Sequence, residues 1–294
     1  MNPVLVTPSA QVDPASLKAH VGALPALPQA VLELLQLLRN DRLSTEQCIR
    51  LIEADPVLTT RTLRLANSAF YGMAGRVTRI TDAVAMLGLR TVAGALAAAA
   101  LTQAFRQEDC PGYSHADHWQ HALATALCAR DLAPRAGLDE EEAFLAGLMH
   151  DFGCLVLAIH SAAGAAEAMA LSREQALPLH VAESRVLGLN HAQVGALLAQ
   201  HWHFPAEIVA AIEHHHRVPV TDADHRVPLP TLVQLANTLA HHLHRVDTGL
   251  AGGPDAPPLD AALTQAFALD DMALQALLSR MAQGVLEMRA ALHL

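Results

Sequence analysis

The sequence predicts an all-α protein. Three observations carry that prediction. Apolar residues make up 52% of the chain, and the excess is largely Ala and Leu, both strong helix formers. Apolar positions recur at helical spacing in segment after segment, bounded by caps. No stretch shows the strict alternation or the tight-turn signals of strands and hairpins. Aromatic residues are only 3% of the chain, so the core must be aliphatic. The 294 residues suffice for one large domain or two smaller ones.

Residues 1–20 lack a clear period and read as an arm. Leu24-Pro25-Ala26-Leu27-Pro28 is a rigid segment, and a first helix follows over Val31–Leu38. Ser44, with Gln47 three residues on, has the spacing of a capping box. Asp55-Pro56 opens a third helix, with Asp as the cap and Pro at the first helical position. Thr81–Leu87 is a short helix closed by Gly88. Arg90–Phe105 is a long Ala-rich helix.

Gln107–Gly112 is polar and broken by Pro111-Gly112, and marks a boundary between two helical subdomains, 21–110 and 111–248. In the second, helices are expected over His115–Leu132, Glu140–Ile159, Gly164–Ala176, Pro178–Leu187, His191–His201, Pro205–His215 and Leu229–His244. Residues 249–294 comprise a Gly/Pro-rich linker to Pro258 and two C-terminal helices.

Net charge is -10, which argues against direct nucleic-acid binding, since that needs a positive field. Lys18 is the only lysine, so the positive charge is nearly all arginine. Arg61, Arg64, Arg76 and Arg79 form either a basic face or an ordinary solvated surface. The most apolar stretch, Val92–Leu101, is half the length of roughly 20 residues that a spanning helix needs. With no signal-peptide pattern at the N-terminus, the expectation is a cytoplasmic protein with no membrane partner. Cys48, Cys110, Cys128 and Cys154 have no CxxC spacing and are expected as reduced thiols.

The chain has 18 histidines. His150-Asp151 follows the apolar run Ala143–Met149 and could offer an imidazole and a carboxylate to one divalent ion. His118 and His121 are three apart, on one helix face. His191 opens a helix, and His214-His215-His216 closes one. These ends would make a metal cage or an anion pocket if they converge. They would otherwise be surface or capping histidines, favoured by the helix dipole.

Ordered motifs carry a resemblance. Ala143-Phe144-Leu145-Ala146-Gly147-Leu148-Met149-His150-Asp151-Phe152-Gly153, then His191-Ala192-Gln193-Val194-Gly195, Trp202, Phe204-Pro205 and the histidine run resemble the HD superfamily. Leu24-Pro25 with Leu27-Pro28, Asp55-Pro56, Leu65-Ala66-Asn67-Ser68 with Tyr71-Gly72, and Ala83-Val84 before Leu87-Gly88 resemble the HDOD domain, the HD-related output domain of bacterial signalling proteins. The likeness runs over about residues 20–245. It implies an HD-like helical core with an N-terminal helical subdomain. It also implies a regulatory module acting through protein partners, including proteins of cyclic-di-GMP networks.

Matched residue by residue, the resemblance implies a metal-ligand set of His121, His150, Asp151, His191, His215, His216 and Asn237. The register within His214–His216 is open. Asn237 stands where the superfamily has an aspartate, and Cys154 where active cyclic-di-GMP phosphodiesterases have a lysine. Their Gly-Tyr-Pro motif is missing. A neutral amide serves a hard cation less well than a carboxylate, so the pocket is expected to be degenerate and to hold one divalent transition metal. The reading that follows is a non-catalytic output module. The alternative is a metal-dependent phosphohydrolase acting on a nucleotide or cyclic dinucleotide.

Overall fold

The computed structural model describes residues 45–68, 76–104, 110–202, 204–217, 227–248, 267 and 269–292. The N-terminal arm, the Leu-Pro segment, the Val31–Leu38 helix, Ser44, the stretch 105–109 and the 249–258 linker lie outside these residues. No strand occurs among the described residues.

The N-terminal part comprises α1 (Thr45–Ala54), α2 (Pro56–Ala66), α3 (Ile80–Leu87) and α4 (Leu89–Ala104). Asp55 caps α2 as its sequence requires, its carboxylate accepting from the backbone N–H of Val57 at 2.7 Å and of Leu58 at 3.2 Å. Asn67 ends α2. Its side-chain NH₂ donates to the Leu63 and Val77 carbonyls, and its oxygen accepts from the Val77 N–H. One amide thus ties the end of α2 to residue 77. Arg61 is buried, so it takes no part in an exposed basic face, whereas Arg64, Arg76 and Arg79 are exposed.

The second part runs through α5 (His115–Ala136), α6 (Glu140–Met149), α7 (Phe152–His160), α8 (Ala162–Gln175), α9 (Leu179–Leu187), α10 (His191–His201), α11 (Ala206–His214) and α12 (Leu229–Thr248). α13 (Asp271–Leu292) follows. α5 is the central post, packed by α6, α12 and α13. α4 lies on α6, and α13 touches both α2 and α5, so the N-terminal part and the core are joined along two seams. Small residues set the spacing. A side chain on Gly147 would press on the backbone of Thr125 and Ala126, so α5 and α6 approach closely only because position 147 has none.

Two expectations change. The His115 helix does not stop at Leu132 but reaches Ala136, with Pro134 inside its last turn. Leu132 and Ala133 are fully buried, and Gly137, left-handed at φ 69°, closes the turn by donating to the carbonyls of Ala133 and Pro134. Packing and a good cap outweigh the missing proline N–H.

The second change is that 140–159 is not one helix. By length and apolar composition 140–160 could cross a membrane, but 78% of its most apolar 18-residue window is buried inside the protein, and it breaks at His150-Asp151. Asp151 sits at φ -102° and ψ 10°, outside helical geometry. On a continuous helix, adjacent side chains diverge by about 100°. The break lets both residues face one site.

Candidate metal centre

Five elements deliver imidazoles to the broken turn. α5 brings His118 and His121, the α6–α7 break brings His150 and Asp151, and α10 opens with His191. His215 and His216 follow α11, and α12 brings His241. Asp151 is the hub. One carboxylate oxygen lies 3.1 Å from His150 Nε2 and 3.5 Å from His121 Nε2. The other lies 3.3 Å from His191 Nε2 and 3.4 Å from His215 Nε2. His216 Nε2 is 2.7 Å from His191 Nε2. The structure therefore brings His215 and His216 to the cluster, while His214 stays in the last turn of α11.

The orientation of two rings follows from hydrogen bonding. His150 Nδ1 is 2.7 Å from the Gly147 carbonyl, and His215 Nδ1 is 2.7 Å from the Ile212 carbonyl. A carbonyl only accepts, so each Nδ1 carries the proton and donates. In the neutral ring Nε2 is then a lone pair, and both lone pairs point at the Asp151 carboxylate. His150 Nε2, His215 Nε2, His121 Nε2 and Asp151 Oδ1 are all buried without a hydrogen-bond partner. Acceptors facing acceptors are unfavourable unless a cation or proton lies between them. The donor set thus fits a divalent ion: His121, His150 and Asp151 form one close group, and Asp151, His191, His215 and His216 another.

Burial decides most protonation states. It pushes His118 and His215 down to about 4 and holds His121 and His216 well below the ordinary value, with neighbouring histidines adding to the effect in all four. Burial would raise the Asp151 carboxyl, but His150, His215 and His191 outweigh it and hold it well below the usual range. Burial likewise opposes a charge on His191, yet Cys154 and Glu183 overcome it and hold that imidazole well above its ordinary value. Burial keeps the Cys154 thiol protonated, pushed up to about 12, so at neutral pH Glu183 is the partner that counts.

Glu183 was not singled out from the sequence. It lies on α9, is 4% exposed, and accepts from both the backbone N–H and Nδ1 of His191, at 2.8 and 2.6 Å. A second carboxylate therefore orients the histidine that faces Asp151. The signal was present: Glu183 stands on the apolar face Ala182–Val186–Leu187, where an acid is out of place. His241 was also missed; its ring centroid is 4.3 Å from that of His121. Asn237 lies one turn earlier on α12, buried, its Oδ1 without a partner. His180 stacks on His216 at 4.1 Å. Trp119 packs edge-on against Phe152, behind the site.

Gly153 makes the arrangement possible. A side chain there would overlap the His191 carbonyl and lie 2.8 Å from the Gly195 nitrogen. The start of α7 thus lies directly on the start of α10, which places Asp151 beside His191. A cavity of about 270 Å³ opens on the cluster, lined by Tyr113, His118, His121, Asp151, Cys154, Glu183 and His241 at its polar end. Leu157, Ala165, Met169 and Leu179 form an apolar wall. Among the described residues, no lysine or arginine lines it.

A model of the HDOD domain matches residues 24–218. A protein of uncharacterised function from Treponema pallidum (strain Nichols) is 28% identical over 226 residues, which is 76% of this chain; the chain spans 43% of that protein's length. Among solved structures, a protein named as a candidate phosphohydrolase from Shewanella amazonensis SB2B is 30% identical. The match covers 95% of this chain and 98% of that one, with a TM-score of 0.69. A protein named as a candidate signal transduction protein from Marinobacter aquaeolei VT8 is 26% identical, over 97% of this chain and 63% of its own, with a TM-score of 0.71. An HDOD domain protein of unknown function from Geobacter sulfurreducens is 26% identical over 94% and 96%, with a TM-score of 0.69.

Proposed function

This chain belongs to the HDOD domain family, and from that premise we propose that it is a regulatory output module working through protein partners, with a metal in place of catalysis in its degenerate HD pocket. The carrying observation is the set of buried imidazole lone pairs aimed at the single carboxylate of Asp151. One divalent transition ion such as zinc, nickel, iron or copper would be held by His121, His150 and Asp151, with His191, His215 and His216 around it and Asn237 on the adjoining face. Its positive charge would compensate Asp151 and fix the relative positions of α5, α7, α10 and α11.

Two features favour regulation over hydrolysis. The expected aspartate is Asn237, which weakens charge compensation for a pair of ions. The cavity offers a phosphodiester no lysine or arginine among the described residues, and places Asp117 and Glu183 at its walls. The partners would be other signalling proteins, among them those that make or degrade cyclic-di-GMP.

The alternative, a metal-dependent phosphohydrolase, draws on one observation: five imidazoles of the inherited constellation still meet at Asp151. The test is to measure metal content and then phosphodiester hydrolysis with added manganese or iron. Bound metal without turnover, together with partner capture that changes in His150→Ala, supports the regulatory reading. Turnover that disappears in His150→Ala overturns it in favour of the hydrolase.

A further inference from the structure

Cys154 and Glu183 border the cavity, but neither belongs to the Asp151 hub. Cys154 Sγ, a Glu183 carboxylate oxygen and a His191 ring nitrogen all lie within 4.8 Å of one another. The group His121, His150 and Asp151 shares none of these residues, whereas His191 also belongs to the group at Asp151: it turns Nε2 to Asp151 and Nδ1 to Glu183, so it can serve the two sides through different nitrogens. We propose that Cys154, Glu183 and His191 form a second cation subsite that takes a thiophilic divalent ion such as zinc or cadmium.

The chemistry of the donors supports this. A tetrahedral ion with bonds of about 2.0–2.3 Å holds its ligands roughly 3.3–3.8 Å apart. The Glu183–His191 pair must therefore open from 2.6 Å, while donors within 4.8 Å of one another need draw in by about 1 Å at most. A thiolate, a carboxylate and an imidazole together suit zinc and suit magnesium poorly. In the metal-free state a proton sits between His191 Nδ1 and Glu183, 2.6 Å apart. A cation entering there takes the place of that proton and also displaces the proton of the Cys154 thiol; both pass to solvent. Coordination is what ionises such a thiol.

Two further polar groups indicate that the cavity is made to hold something polar. His118 is 9% exposed with Nε2 lacking a hydrogen-bond partner, and the Tyr113 hydroxyl is buried and also without one. Both residues line the cavity beside Cys154. With three protein donors at one end, the fourth position of a tetrahedral ion would open on that space, where a water or small ligand would reach His118 or Tyr113. The subsite goes beyond the regulatory reading and does not require an ion at Asp151.

The experiment is a cadmium titration of the metal-free chain, residues 1–294, read by the ultraviolet sulfur-to-cadmium charge-transfer band and by bound-metal analysis. The expected result is two ions per chain and a band that zinc abolishes and excess magnesium leaves unchanged. Cys154→Ser and Cys154→Ala should each lose the band and one ion, with unchanged helical circular dichroism. Asp151→Asn should lose the other ion and keep the band. No band in the wild-type chain overturns the subsite. A band surviving in both Cys154 variants assigns it to another cysteine and also overturns it. A band lost in Asp151→Asn shows a single shared ion, which ends the claim of a separate subsite. A wild-type chain that binds one ion, with the band, overturns the Asp151 ion and leaves this proposal standing.

Discussion

Residues 21–114 contain no histidine, whereas all but two of the chain's 18 fall between His115 and His244. The helices on either side of that line are otherwise built alike, from Ala, Leu and Val packed at close range. They differ in what their buried polar groups do. In the N-terminal part, Asp55 caps α2, and Asn67 satisfies both halves of its amide on neighbouring backbone. Among the described residues there, the buried polar side-chain atoms without partners are hydroxyls, on Thr62, Ser68 and Thr91. In the core, ring nitrogens of His118, His121, His150 and His215 are left without partners around one carboxylate. Polar groups in the first region complete the fold; those in the second are held ready for something else by the fold.

The sharpest way to break this contrast is Gly153→Ala. The new methyl meets the His191 backbone, which belongs to a helix end and cannot rotate away. A loss of about 4 kcal/mol or more is expected, at the severe end for a single substitution. Denaturant unfolding should show a large fall in midpoint, and metal content should fall with it. A midpoint within experimental error of wild type would show that α7 and α10 can separate without harm.

Acid should divide the two regions next. His118 holds its proton only below about 4 when folded, against an ordinary value of 6.5 when unfolded. Above 6.5 both states are neutral, and stability is at its full value. As pH falls from 6.5 towards 4, the unfolded chain binds a proton that the folded core refuses, so stability drops by about 3 kcal/mol for this histidine. His121, His215 and His216 shift in the same direction. The midpoint should therefore fall steeply across that window, and His118→Phe should flatten the slope. An unchanged slope in that variant would place the acid sensitivity elsewhere.

What the sequence revealed follows the same line. The Asp55-Pro56 cap, Gly88 as a terminator and the His118–His121 spacing are local signals, set by residues within one turn of each other. Gly88 does adopt φ 81°. The break between Met149 and Phe152 was hidden because apolar residues run straight through it, and hydropathy carries no record of backbone direction. Glu183 was hidden for the opposite reason. Its role depends on His191, eight residues away, and on a packing of α9 against α10 that no periodicity encodes. The extension of α5 past Pro134 likewise rests on the burial of Leu132 and Ala133, a tertiary fact.

Asn67→Ala offers a finer comparison. It removes three hydrogen bonds and leaves the Val77 N–H and carbonyl without their partner. The expected cost is about 1–3 kcal/mol, read from the denaturant midpoint. Metal content should not change, because α2 contributes nothing to the Asp151 cluster. A loss of metal in this variant would mean that the N-terminal part positions the site, and the division between structural and reserved polar groups would fail.

The smallest effect belongs to Arg280 and Asp131, which join α13 to α5. The guanidinium donates twice to one carboxylate oxygen, at 2.9 and 2.7 Å, so the geometry is good. Yet the two side chains are 55% and 40% exposed. Water already solvates both charges, and ordering two long side chains offsets much of the attraction. Asp131→Asn should therefore cost less than about 1 kcal/mol at low salt, and less again at about 1 M salt, where screening acts within roughly 3 Å. The Asp151 carboxylate is 16% exposed and sits among rings that solvent scarcely reaches. Salt should scarcely alter the effect of Asp151→Asn. The comparison is two carboxylates on one fold, each changed to its amide and each melted at low and high salt. If the Asp151 variant proves as salt-sensitive as the Asp131 variant, the core carboxylate is solvated like the surface one, and the case for a reserved, water-poor centre is lost.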